Sequence, residues 1–176
     1  MPDGHTTDNE AEEDMGGDDG EHEVDQHVAA VTGAHGVTPE LLVTLCYNDM
    51  TGKLVVAVEQ GSCLGVHSKT PDTLVKVTVL SPYGDEIGKS KTPVCKSQQH
   101  PQYNATFVFQ VPYSELNYIS VLIQVYCYLG VWRRRVLIGW LSMGQNCTSD
   151  LEEDHWKQMI SGMGISLSKW HTLVEP

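Results

Sequence analysis

The stretch Leu41-Leu42-Val43-Thr44-Leu45-Cys46-Tyr47, Asn48-Asp49-Met50-Thr51-Gly52, Lys53-Leu54-Val55-Val56-Ala57-Val58-Glu59 decides the class of fold. Its two outer parts are short aliphatic and β-branched runs, the composition of strands. The connection between them is of hairpin length, and its Asn, Asp and Gly tolerate positive φ. Working outward, similar runs recur about every ten residues. They fall at 73–80, more weakly at 87–92, then at 106–111, 119–128, 136–143 and 169–174, with Ser81-Pro82-Tyr83-Gly84-Asp85 as a further turn. Eight short strands divided by turn residues predict an all-β sandwich or barrel. One helix interrupts them. Thr148 or Ser149 can cap it, Asp150, Glu152, Glu153 and Asp154 suit its positive end, Leu151, Trp156, Met159 and Ile160 give it an apolar face, and Gly162 and Gly164 end it.

The 176 residues suffice for one domain with a substantial core, without disulfides or metals. The net charge of −12 is unevenly distributed. Residues 1–38 hold eleven Asp and Glu and no Lys or Arg, whereas residues 39–176 hold twelve acids against eleven bases. The first segment, with scarcely an apolar cluster, reads as a disordered acidic tail, and 39–176 as the folded domain. His5, His22, His27 and His35 in the tail match no metal-site spacing, and the segment is taken as a solvated polyanion. A nearly neutral domain with one short arginine run argues against nucleic acid as a partner. Cys46, Cys63, Cys95, Cys127 and Cys147 are odd in number and lack a CxxC pair, so free thiols in a reducing cytosol are expected. The sequons at Asn104 and Asn146 would matter only in the secretory lumen. The apolar stretches are strand-sized and the N-terminus is acidic, so neither a transmembrane segment nor a signal peptide is expected.

Specific words then point to a family. Thr51-Gly52-Lys53-Leu54, Asp72-Thr73-Leu74-Val75-Lys76-Val77 and Pro101-Gln102-Tyr103-Asn104-Ala105-Thr106-Phe107-Val108-Phe109 are joined by Ile138-Gly139-Trp140, by His155-Trp156 and by Trp170-His171-Thr172-Leu173. In this order they resemble the second (C2B) domain of the synaptotagmins, over about residues 39–176. The segment 131–140 and the closing Leu173-Val174-Glu175 look most similar to the branch numbered fourteen and sixteen, which is regarded as calcium-independent. The resemblance implies an eight-stranded antiparallel C2-type β-sandwich with one helix before the last strand. It also implies a setting in vesicle trafficking or exocytosis. Beside synaptotagmins, the chain lacks a membrane anchor and a first C2 domain, as a fragment or a short form would.

Calcium requires six to eight oxygen ligands, and C2 domains that bind it are similar in supplying five acids from two loops at one tip. Here the two positions of the first such loop fall at Val66 and Asp72. The Asp-x-Asp pair of the other falls at Cys127 and Leu129, and the last acid falls among Arg133, Arg134 and Arg135. Only Asp72 survives, and it is read as a loop-to-strand hydrogen-bonding residue. No metal or cofactor is expected.

Two surfaces are candidates for contact. The loop Leu129-Gly130-Val131-Trp132-Arg133-Arg134-Arg135 combines an apolar Val-Trp pair with three arginines, and is taken as the principal one. Lys89 and Lys91, on one face of a strand by the two-residue period, form a weak second patch at the place of the lysine-rich strand of C2B domains. The expected partner is an anionic phospholipid surface or an acidic protein, and the domain is expected in the cytoplasm, peripheral at membranes. The alternative is a protein-interaction module that forms homo- or hetero-oligomers with related C2 proteins or binds trafficking proteins. No nucleophile elbow, Gly-rich phosphate loop or HExxH helix supports an enzyme, and His100, His155 and His171 are read as turn, helix and strand residues.

Overall fold

Alternation along the strands sorts side chains into two layers. In β1 (Glu40–Asn48), Leu41, Val43, Leu45 and Tyr47 are fully buried while Leu42, Thr44 and Cys46 stay half-exposed. The computed structural model describes residues 38–66 and 69–176. The acidic tail expected at 1–38 therefore lies, but for Thr38, outside the described residues. Within them the other strands are β2 (Lys53–Ser62), β3 (Asp72–Leu80), β4 (Glu86–Lys91), β5 (Gln102–Gln110), β6 (Ser120–Leu129), β7 (Arg134–Gly144) and β8 (Leu167–Thr172). The helix α1 (Asp150–Ser161) precedes β8. Two antiparallel four-stranded sheets, ordered β5-β2-β1-β8 and β4-β3-β6-β7, enclose one core of aliphatic residues. The sandwich has the eight strands and the helix placement expected.

Several boundaries differ from the expectation. β5 begins at Gln102 rather than 106, because the earlier residues still pair with β2 (Gln60↔Gln102). β8 ends at Thr172, after which Val174 makes an isolated bridge to Trp140. β7 begins at Arg134, paired with Leu129, and Arg135 pairs with Tyr128. Arg134 and Arg135 are thus strand residues and not part of the loop. Pairing with β6 continues through them because an exposed strand end can carry charged side chains in solvent.

The helix is tied to the last strand by a buried polar chain. Ser149 caps α1, accepting from the Leu151 N–H and donating to Glu152, the S-x-x-E spacing of a capping box. Glu152 Oε1 meets His171 Nδ1 at 2.9 Å, His171 Nε2 meets His155 Nδ1 at 2.7 Å, and His155 Nε2 meets the Leu167 carbonyl at 2.8 Å. The two imidazoles and the carboxylate are at most 2% exposed. A carbonyl can only accept, so His155 Nε2 carries hydrogen. Burial pulls the His155 pKa down to about 4, so its other nitrogen is an acceptor and His171 Nε2 donates to it. Burial pushes the Glu152 carboxyl up, but the hydrogen bonds from His171 and Ser149 outweigh this and hold it below its ordinary value. Trp156 packs into the core, as expected of a residue joining helix to sheet. Trp170 alternates with His171 and lies half-exposed on the outer side with Ser168, which meets Thr44.

Candidate functional site

One end of the sandwich is built by the described residues 63–66 and 69–71 between β2 and β3 and by the loops 92–101 and 130–133. Backbone bonds from Leu64 N to Gln99 O (3.0 Å) and between Thr73 and Cys95 (2.8 Å each way) hold the first two together. The four-residue connection 130–133 closes with a bond from Arg133 N to Gly130 O (3.1 Å). Gly130 and Arg133 both have positive φ (72° and 49°), which turns the chain sharply. Val131 and Trp132 at its centre are each 94% exposed, so Trp132 stands out from the sandwich.

Val66, Asp72 and Leu129 line a common cavity of about 380 Å³ with Lys69, Thr70, Pro71, Tyr128 and Gly130. Cys127, the fourth position considered, is fully buried within β6 and does not reach that cavity. Asp72 is engaged on both oxygens. Oδ1 accepts from the Ser97 N–H (3.0 Å) and Oδ2 accepts from Arg133 Nη1 (3.1 Å). The same guanidinium lies 5.1 Å from the centroid of the Tyr128 ring, a cation–π contact. Asp72 is therefore a hydrogen-bonding residue that ties three loops at the tip. Among the described residues no cluster of three or more His, Cys, Asp or Glu side chains is arranged to hold a metal.

A second constellation lies on the outer face of the β4-β3-β6-β7 sheet. Lys91 pairs with Lys76 across β4 and β3, and Lys76 with Gln124 across β3 and β6. Arg135 crosses from β7 over the Tyr126 ring, 4.8 Å from its centroid. Lys76, Lys89, Ser90, Lys91 and Arg135 line one shallow pocket of about 340 Å³. Glu86 is its carboxylate, 3.1 Å from Lys89 and 3.6 Å from Lys76, and its hydrogen bond from Lys89 keeps it ionised to lower pH than usual. The inner side of β4 is Gly88, where a Cβ would come within 2.9 Å of Phe109 Cδ1. A side chain there would force the Phe109 ring to shift.

The structure thus divides the arginine run among three places. Arg133 holds Asp72, Arg135 joins Lys89 and Lys91, and Arg134 is exposed at the start of β7. Sequence reasoning overlooked Lys76. The signal was the pairing of neighbouring antiparallel strands, which sets it beside Lys91. Other polar candidates have structural tasks. His100 Nδ1 accepts from the Cys63 N–H at 3.2 Å, and burial pushes the thiols of Cys95, Cys127 and Cys147 up, opposite to what an activated nucleophile needs. Among the described residues no helix is long and apolar enough to cross a membrane.

Comparison with known proteins agrees with this architecture. The family model described as C2 domain matches residues 52–159. Synaptotagmin-6 of Mus musculus is 32% identical over 77% of this chain, and synaptotagmin-9 of Homo sapiens is also 32% identical over 77%. The chain spans only 26% and 28% of those relatives' lengths. Among solved structures, a C2 domain of RIM from Drosophila superposes with a TM-score of 0.60 at 18% identity, covering 79% of this chain and 100% of that one. The first C2 domain of human synaptotagmin XIII gives 0.56 at 18% identity, covering 84% and 96%. These likenesses establish the fold, and the matched family is not a catalytic one. The chain belongs to the C2 domain family, with synaptotagmins among its relatives.

Proposed function

We propose that this domain is a calcium-independent C2 module of the synaptotagmin C2B type, acting in vesicle trafficking and lying peripherally on anionic phospholipid. The contact between Arg133 and Asp72 carries this reading. The one acid left at the tip already has a cation of its own, covalently part of the chain and permanently charged. A divalent ion entering there would displace the guanidinium, face Lys69 and Arg133 at short range, and find one carboxylate among mostly water ligands.

Membrane contact then falls to residues that need no metal bridge. Val131 and Trp132 project from the tip, and an indole suits the headgroup boundary because its ring is apolar and its N–H can stay wet. The stacks of Arg133 on Tyr128 and Arg135 on Tyr126 lead from the tip onto the lysine face, which supplies positive charge to phosphate groups. The Trp170-His171-Thr172-Leu173 ending after the capped helix supports the C2B reading.

Any ligand that binds only the folded state raises its melting temperature. The expected result is therefore the same melting temperature in about 1 mM Ca²⁺ and in EGTA, since free ligand near 100 Kd would add about 2.7 kcal/mol. A clear upward shift with Ca²⁺, lost in Asp72→Asn, would overturn the reading.

A further inference from the structure

The basic face has a counterpart in the same chain. Lys76, Lys89, Lys91 and Arg135 meet around one pocket, with Glu86 as the facing carboxylate, so the face keeps a surplus of positive charge. The tip offers less, because Arg133 is held by Asp72. Residues 3–25 carry eleven acids and no Lys or Arg, and residues 26–37 carry no Asp, Glu, Lys or Arg at all. That spacer, between the acids and the start of the described domain, can reach at most roughly 40 Å. A domain of this size is roughly 35–40 Å across. Reach therefore permits any face, and charge selects this one.

We propose that the acidic segment 3–25 docks on the basic face formed by Lys76, Lys89, Lys91 and Arg135 as an intramolecular polyanion, competing there with anionic lipid headgroups. The competition rests on reading that face as the lipid surface; the docking does not. Tethering makes a weak contact effective. At an effective concentration of about 1 mM, a contact with a dissociation constant of about 0.1 mM is closed about ten to one. Lipid would then bind about tenfold more weakly than to the open face. Because the attraction is between exposed charges, salt opens it.

The test uses the full chain. In the absence of lipid, zero-length carbodiimide cross-linking at low salt, read by mass spectrometry in the monomer band, should join carboxylates of 3–25 to Lys76, Lys89 and Lys91. A variant with all eleven acids of 3–25 changed to Asn or Gln should bind phosphatidylserine vesicles about tenfold more tightly than the parent at low salt, with the gap closing at about 0.5 M salt. Cross-links spread evenly over Lys53, Lys157 and Lys169, or confined to the dimer band, would overturn the docking and reduce any affinity gain to general repulsion. Equal vesicle affinity of the two forms would overturn the competition. If neither form bound vesicles, the lipid reading of the face would fail, and the cross-links would still decide the docking.

Discussion

His171→Leu is expected to lower the melting temperature by more than about 10 °C while leaving neighbouring Thr172→Ala close to the parent. His171 joins Glu152 on one side (2.9 Å) and His155 on the other (2.7 Å), and all three are at most 2% exposed. Leucine fills much of the volume but leaves Glu152 Oε1 and His155 Nδ1 without their partner where water cannot reach them. Removing one partner of a buried pair typically costs about 3–5 kcal/mol. For a domain of this size each 1 kcal/mol lowers the midpoint by roughly 4 °C. A fall under about 3 °C would mean that the chain from Ser149 to Leu167 adds little to the docking of α1. The same network fixes a pH dependence. Folded His155 stays neutral down to about 4, whereas in the unfolded chain it takes a proton near 6.5. Between those values the unfolded state binds more protons. The His155 contribution to stability is therefore full above about 6.5 and drains as the pH falls toward 4, at up to about 1.4 kcal/mol per unit. The depressed Glu152 carboxyl acts in the same direction, its contribution present above the ordinary carboxylate range and lost below it. Thermal melts from pH 7.5 down to 4 measure the His155 contribution, and melts continued below pH 4 measure that of Glu152.

Neutralising the basic face is expected to weaken binding to anionic vesicles by roughly 100- to 1,000-fold at low salt. Each basic residue near such a surface is worth about 1 kcal/mol. Lys76→Gln, Lys89→Gln, Lys91→Gln and Arg135→Gln together remove four. For this face the sequence alone offered only Lys89 and Lys91, for which a modest loss is expected, and it assigned Arg135 to the tip loop. The larger effect comes from Lys76 and Arg135, which line the same pocket. Lys89 and Lys91 are exposed, so the fold should survive with only a small change in melting temperature. The loss should shrink in high salt, as surface attraction does. A quadruple variant binding vesicles like the parent would move the contact to Val131 and Trp132 alone.

What could be read without coordinates was local. The first hairpin was expected at 41–47 and 53–59, and the strands run Glu40–Asn48 and Lys53–Ser62, because composition and turn residues act within a few positions. Asp72 as the single remaining acid was legible through the resemblance to C2 domains, and it lies at the tip bonded to Ser97 and Arg133. Lys76 was hidden because β3 is covered on both faces. Leu74, Val75, Val77 and Thr78 are all buried, so no two-residue alternation marks its outward side. Arg135 looked like a loop residue because three consecutive charges resemble a solvated turn, and only pairing with Tyr128 draws it into β7. Its place beside β4 follows from the sheet order β4-β3-β6-β7, a long-range property that no local pattern encodes. His155 and His171 were each assigned to the right kind of element, but their contact across helix and strand required the fold.

The calcium-independent binding of anionic membrane proposed above needs one decisive experiment. It is tested most directly by sedimentation of the chain with phosphatidylserine-containing and phosphatidylcholine-only vesicles, in EGTA and in about 1 mM Ca²⁺, at low salt. The predicted result is binding to the anionic vesicles in EGTA, unchanged by Ca²⁺, and little binding to phosphatidylcholine alone. Binding that requires Ca²⁺, or no binding to anionic vesicles under either condition, would contradict it.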